Sequence, residues 1–245
     1  MSDLKSFFSF YGSKWRLAPK YPAPEYGTII EPFAGSAGYS VRHADKNILL
    51  IERDPVIASV WEYLISASPA DILALPHVED GGSVDDYPEL PAGARAFMGF
   101  WVNQAAAQPA KIMSKWSRDY PGPGRYGASV RARVAGQLHA VRHWQIMAGD
   151  DYTAAPDIEA TWFIDPPYSD RGKHYKYGSK LINYTELADW CRSRRGQVLV
   201  CENEGADWLP FVPFSRQIGT TAHGIVRYSQ EVIWTNDTRA MELAA

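Results

Sequence analysis

The chain has 245 residues, 46% hydrophobic and 22% charged, with a formal net charge of -3, the balance of an ordinary globular protein with one sizeable core. The mild acidic excess argues against a chain that simply coats nucleic acid, and no apolar run approaches the roughly 20 residues that span a bilayer. The two cysteines, Cys191 and Cys201, lack metal-ligand spacing, and Met1 to Ser6 shows no basic-then-apolar leader pattern. A cytoplasmic protein with two buried free thiols, no membrane partner and no metal is expected.

Residues 4 to 11 are apolar and aromatic until Gly12-Ser13-Lys14 breaks the run, and Pro19, Pro22 and Pro24 mark an extended linker. Thr28 to Glu31 reads as a short buried strand running into Pro32-Phe33-Ala34-Gly35-Ser36-Ala37-Gly38, with a helix from Gly38 to His43. Ile48 to Ile51 is a second buried strand, ending at Glu52-Arg53-Asp54-Pro55, and Pro55 suits the first turn of a helix reaching Ser66. Strand, glycine-rich turn, helix, strand, acid, helix is the opening of a doubly wound parallel sheet. Residues 76–91 read as a Pro/Gly/Asp loop, and 92–147 as mainly helical with one break over 120–126. The strand pattern resumes at Thr161 to Ile164. A helix from Tyr184 to Arg194, a strand from Gln197 to Cys201 and a last strand from Glu231 to Trp234 follow.

Asp165-Pro166-Pro167-Tyr168 leaves an apolar strand at the sheet edge where open α/β folds place their ligands. Consecutive prolines stiffen the backbone and leave carbonyls without a competing amide on the same residue. A carboxylate and a rigid carbonyl can then both accept hydrogen bonds from one exocyclic amine, localising a lone pair otherwise delocalised into a base ring. Tyr168 offers a flat face on which an extruded base can stack. Upstream, Gly35 lets backbone approach a ligand closely. Phe33 breaks the Gly-x-Gly-x-x-Gly pattern, which disfavours a nicotinamide dehydrogenase. Glu52, at the end of the second strand, can accept both ribose hydroxyls of an adenosine-containing cofactor.

The charge is unevenly spread. From Lys111 to Arg142 there are seven lysines or arginines against one acid, Asp119. A one-signed stretch of this kind is an electrostatic footprint for phosphates, or else a solvated helix face. The loop after the motif, Ser169 to Lys180, interleaves basic and aromatic residues, as phosphate contact plus stacking requires. A lid that orders on DNA is expected there.

Together, Phe7-Phe8-Ser9-Phe10-Tyr11-Gly12-Ser13-Lys14, the Glu31 to Gly38 loop, Glu52 and Asp165-Pro-Pro-Tyr stand in the order of the motifs of Dam-type adenine-specific DNA methyltransferases, and the chain resembles that family. The resemblance implies a Rossmann-like class I fold dependent on S-adenosylmethionine, a seven-stranded mixed sheet with an antiparallel strand in the last-but-one position. It places the catalytic domain at 1–75 and 145–245 and a helical target-recognition insert at 76–144. It implies that Lys14 holds the cofactor's carboxylate and that Phe10, Tyr11, Glu31, Phe33, Gly35, Ser36 and Arg53 form the cofactor pocket. Glu52 binds ribose, and Asp151-Tyr152 caps the adenine ring. Asp165 and the Pro166 carbonyl hold the target amine, followed by Pro167 and the stacking Tyr168. Double-stranded DNA is the implied partner of a monomer or weak dimer, with Gln108, Lys111, Lys115, Arg118, Arg125, Lys173, Tyr175 and Lys176 as candidate contacts. The small size is that of a stand-alone phage or prophage enzyme. Where the Dam type carries an arginine that helps read GATC, this chain has Ile112, so a GATC target is not expected. Other amine targets (cytosine N4, adenine in RNA) and a non-catalytic regulator binding cofactor and DNA are the alternatives. His174 is not expected to act as a base, because the amine proton becomes acidic once the nitrogen is alkylated.

Overall fold

The computed structural model describes residues 3–79, 81–113, 115–119, 126–170, 172, 175–220 and 226–237. Seven strands form one sheet: β1 (Thr28–Glu31), β2 (Asn47–Glu52), β3 (Gln145–Ala148), β4 (Ala160–Ile164), β5 (Gly196–Asn203), β6 (Val212–Thr220) and β7 (Val226–Thr235). Their spatial order is β3-β2-β1-β4-β5-β7-β6. β7 runs antiparallel to both of its neighbours, while the pairs among β1 to β5 are parallel. This is the expected Rossmann-like mixed sheet with its reversed strand last but one. The order turns back between β1 and β4, so the ends of β1, β2 and β4 open onto one crevice.

The helices are α1 (Gly38–Arg42), α2 (Pro55–Ser66), α3 (Pro69–Ala74), α4 (Ala92–Val102), α5 (Lys115–Asp119), α6 (Ala128–Gln137) and α7 (Tyr184–Ser193). α2 begins where its sequence says it should: Asp54 caps it by accepting from the Val56 amide at 3.0 Å, with Pro55 in the first turn. Strand alternation splits the core into two faces. On β4 and β5, Phe163, Leu199 and Cys201 enter the cluster beneath α2 and α4, while Trp162, Ile164, Val198 and Val200 enter the one beneath α7. Gly93 of α4 lies so close to α2 that a Cβ there would stand 2.1 Å from the Ser59 carbonyl oxygen.

Two expectations are corrected. Residues 145–147, read as helical, form the edge strand β3. α4 ends at Val102, and the described residues from 103 to 113 hold no helix, with Ala105 at φ 55. β6, Val212–Thr220, is implied by the seven-stranded expectation, but the residue pattern does not locate it. In the segment after α3, Val84, Phe97, Tyr126, Val130 and Leu138 bury into the same cluster as Phe7, Phe8 and Trp61 of the sheet-forming part.

Candidate active site

The loop after β1 is folded by hydrogen bonds to two strand-end carboxyls. Glu31 accepts from the Ser40 amide at 2.7 Å and so holds the start of α1. Glu52 accepts from the Gly35 amide at 2.9 Å and the Asp54 amide at 2.8 Å. Gly35 has φ +46, and a Cβ on it would meet the Phe10 ring at 3.0 Å, so only glycine lets this turn lie against that ring. The Gly35 carbonyl accepts from Trp61 Nε1 at 2.8 Å, and Ser36 Oγ donates to Ser13 Oγ at 2.8 Å, tying the loop to the N-terminal segment. Burial pushes the Glu31 carboxyl up to about 8, against the bonds from Ser40. It pushes Glu52 up to about 7, against the amides of Asp54 and Gly35.

Around these residues lies a cleft of about 650 Å³ when the open solvent at its mouth is counted. The structure brings Phe10, Tyr11, Lys14, Glu31, Phe33, Gly35, Ser36, Glu52 and Asp165 together on its walls. Arg53, Asp151 and Tyr152 line an adjoining hollow that shares Phe33 and Tyr177 with the first. There Tyr152 stacks on Phe33, with centroids 5.5 Å apart and planes at 29°. Asp151 accepts from the Thr153 amide at 2.9 Å, and Arg53 lies 5.2 Å from the Tyr177 centroid.

Asp165 follows β4 directly. Its Oδ1 lies 2.8 Å and its Oδ2 2.9 Å from Lys14 Nζ. Lys14 is 5% exposed; it also donates to the Gly12 carbonyl at 3.3 Å and lies 4.8 Å from the Tyr168 centroid. In this structure the Lys14 ammonium is held by Asp165. Burial opposes the Lys14 charge, but Asp165 and Glu231 outweigh it and hold the ammonium above the ordinary lysine range. Burial pushes the Asp165 carboxyl up, while Lys14 pulls the other way. Pro166 is buried, the Pro167 carbonyl accepts from the Tyr184 hydroxyl, and the Tyr168 hydroxyl donates to Glu231.

The residues expected at DNA divide. Gln108 lines the first cleft and donates to Asp54 Oδ2 at 2.8 Å. Tyr175 and Lys176 line the same cleft. Tyr175 packs 6.1 Å from Phe10 and 5.8 Å from Tyr11, its hydroxyl donating to the Tyr11 carbonyl at 3.3 Å; Lys176 Nζ is 4.0 Å from Asp54. Lys111 pairs with Asp85 at 2.6 Å and Lys115 with Asp119 at 2.7 Å, and Arg118 donates to the Met113 carbonyl. None of these three lines the cleft. Arg125, Lys173 and His174 lie outside the described residues.

Sequence reasoning missed Asp54, Tyr177 and Glu231. Asp54 was legible as a helix cap before Pro55, but its second face, toward Gln108 and Lys176, depends on chain returning from far away. A second, wider hollow shares Phe10 to Lys14 with the first and is lined among others by Lys5, Arg16, Trp101, Arg133 and Glu231. Among the described residues no group of histidines, cysteines and carboxylates suits a metal ion, and no helix is long and apolar enough to cross a membrane.

No family model matches the chain, and no curated protein does. Among solved structures, the rRNA methyltransferase aviRa from Streptomyces viridochromogenes is 14% identical, with 90% of this chain and 84% of that one covered, at a TM-score of 0.38. The glycopeptide N-methyltransferase MtfA is 12% identical, with 96% and 80% covered, at 0.32. Both superpositions are loose.

Proposed function

We propose that the chain is an S-adenosylmethionine-dependent methyltransferase that methylates the N6 amine of adenine in double-stranded DNA. The observation that carries this is the placement of Asp165-Pro-Pro-Tyr. Its carboxyl is ion-paired at the end of β4 and opens on a cleft whose far wall holds Glu52 at the end of β2. The residues present fit the cofactor: a glycine turn that a Cβ would close onto Phe10, a strand-end acid for ribose, and aromatic Phe33 and Tyr152 beside the adjoining hollow. When bound, the cofactor supplies an electrophilic methyl group on its sulfonium. No metal enters this scheme.

The chain's own residues do the rest. Lys14 offsets part of the cost of burying the Asp165 charge. Asp165 and the Pro166 carbonyl accept the two hydrogens of the amine and hold its nitrogen toward the cofactor cleft. The raised proton affinity of Asp165 suits it to take the proton that the alkylated nitrogen sheds. Tyr168 stacks against the extruded base, offsetting a flipping cost of a few kcal/mol. Phe10 and Tyr175 shut water out. The wider hollow, with Lys5, Lys14, Arg16 and Arg133 against Glu231, is the side from which the base enters.

Single-molecule sequencing of DNA from cells expressing the chain reports modified base and site together. N6-methyladenine at a defined sequence is the expected result. Methylcytosine, or methylation confined to RNA, would replace the substrate. Asp165→Ala should abolish transfer while cofactor binding remains measurable; a variant that still turns over would sink the assignment.

A further inference from the structure

Glu231 comes from β7, the reversed strand, yet reaches the motif that follows β4. Its Oε2 accepts the Tyr168 hydroxyl, and it lies 4.0 Å from Lys14 Nζ. Its backbone is fixed opposite Asn203 in the β5–β7 ladder, and the residue is 8% exposed. The Tyr168 ring is thus gripped at two points, its hydroxyl by Glu231 and its face by the Lys14 ammonium, which in turn sits on Asp165. Tyr168 itself starts a loop, and Ser169 beside it is exposed. A loop residue asked to present a flat face to a base needs such an anchor on rigid structure, since an error of about 1 Å at a reacting centre costs on the order of 100-fold in rate.

We propose that Glu231 is a positioning residue for the transfer reaction: through the Tyr168 hydroxyl it sets the orientation of the ring against which the acceptor stacks, and with Asp165 it fixes Lys14. The proposal rests on the methyltransferase reading of Asp165 to Tyr168. No bond is made or broken at Glu231.

The test compares Glu231→Ala, Glu231→Gln, Tyr168→Phe and the double variant Glu231→Ala/Tyr168→Phe. Glu231→Ala should lower kcat by about 10- to 100-fold, with the KM for S-adenosylmethionine changed by less than about 3-fold, because Glu231 itself does not line the cleft proposed for the cofactor and Asp165 still holds Lys14. The glutamine variant keeps an acceptor for the hydroxyl and should recover most of that loss. The double variant should be no worse than the poorer single one, since both remove the same hydrogen bond. Independent, multiplying losses, or a glutamine variant as poor as alanine, would overturn the proposal. Should the alanine variant not fold, glutamine and Tyr168→Phe carry the comparison. Tyrosine labelled with 13C at Cζ gives a readout free of turnover. The Tyr168 signal, identified by its loss in Tyr168→Phe, should move in Glu231→Ala or, if that does not fold, in Glu231→Gln, while the other tyrosines stay in place. An unmoved signal overturns the proposal. A wild-type protein that methylates nothing would instead sink the methyltransferase reading, and the spectrum would still judge Glu231.

Discussion

At the scale of the residue, Glu52 is the most informative group. Burial pushes its carboxyl to about 7, so the ligand-free protein holds a proton there that the unfolded chain, with its carboxyl near 4.5, gives up. The folded pKa is raised, so this contribution to stability is complete below 4.5 and is lost as pH rises to about 7. Glu31, raised to about 8, acts in the same direction. The melting temperature of the ligand-free protein should therefore fall across that window, and a flat profile would show both acids already ionised. On the proposed function Glu52 meets the cofactor's ribose hydroxyls, which as donors prefer the carboxylate. Cofactor affinity should thus drop about tenfold per pH unit below about 7, and calorimetry in two buffers of different ionisation heat should record a released proton. The acid itself was legible from its place at the end of an apolar strand. Its two amide partners were not, since they follow from how the loop after β1 closes back over β2.

At the scale of the element, β1 and α2 stand where apolar runs and a proline-opened helix put them, Thr28–Glu31 and Pro55–Ser66. β3 and β6 escaped notice for a physical reason. Both are edge strands, one only four residues long and part-exposed, the other interrupted by Pro213 and Gly219, which an edge tolerates and a pattern search penalises. The candidate site followed the same division: residues within motifs were legible, and those delivered by distant chain, Glu231 above all, were not. Packing between elements makes its own prediction. Gly93→Ala drives a methyl into the Ser59 carbonyl at the α2–α4 contact and should cost about 1–3 kcal/mol, read as a lowered denaturation midpoint with an unchanged slope. A neutral result would mean that the two helices can part without penalty.

At the scale of the whole molecule, charge distribution outweighs the net charge of -3. The basic run from Lys111 meets its own acids, Asp85 and Asp119, whereas Lys5, Arg16 and Arg133 gather at the hollow beside Asp165's partner Lys14. If DNA enters there, Lys5→Ala and Arg16→Ala should each flatten the log–log salt dependence of binding by about one unit. Lys111→Ala and Lys115→Ala should change it less; the reverse order would return the phosphate path to the 111–118 stretch.

The segment Phe10 to Lys14 is common to the linings of both hollows. Whatever conformational freedom it loses when one chamber fills need not be lost again when the second does. Donor and acceptor should then help each other's binding, and by reciprocity each must sharpen the other's affinity by the same factor.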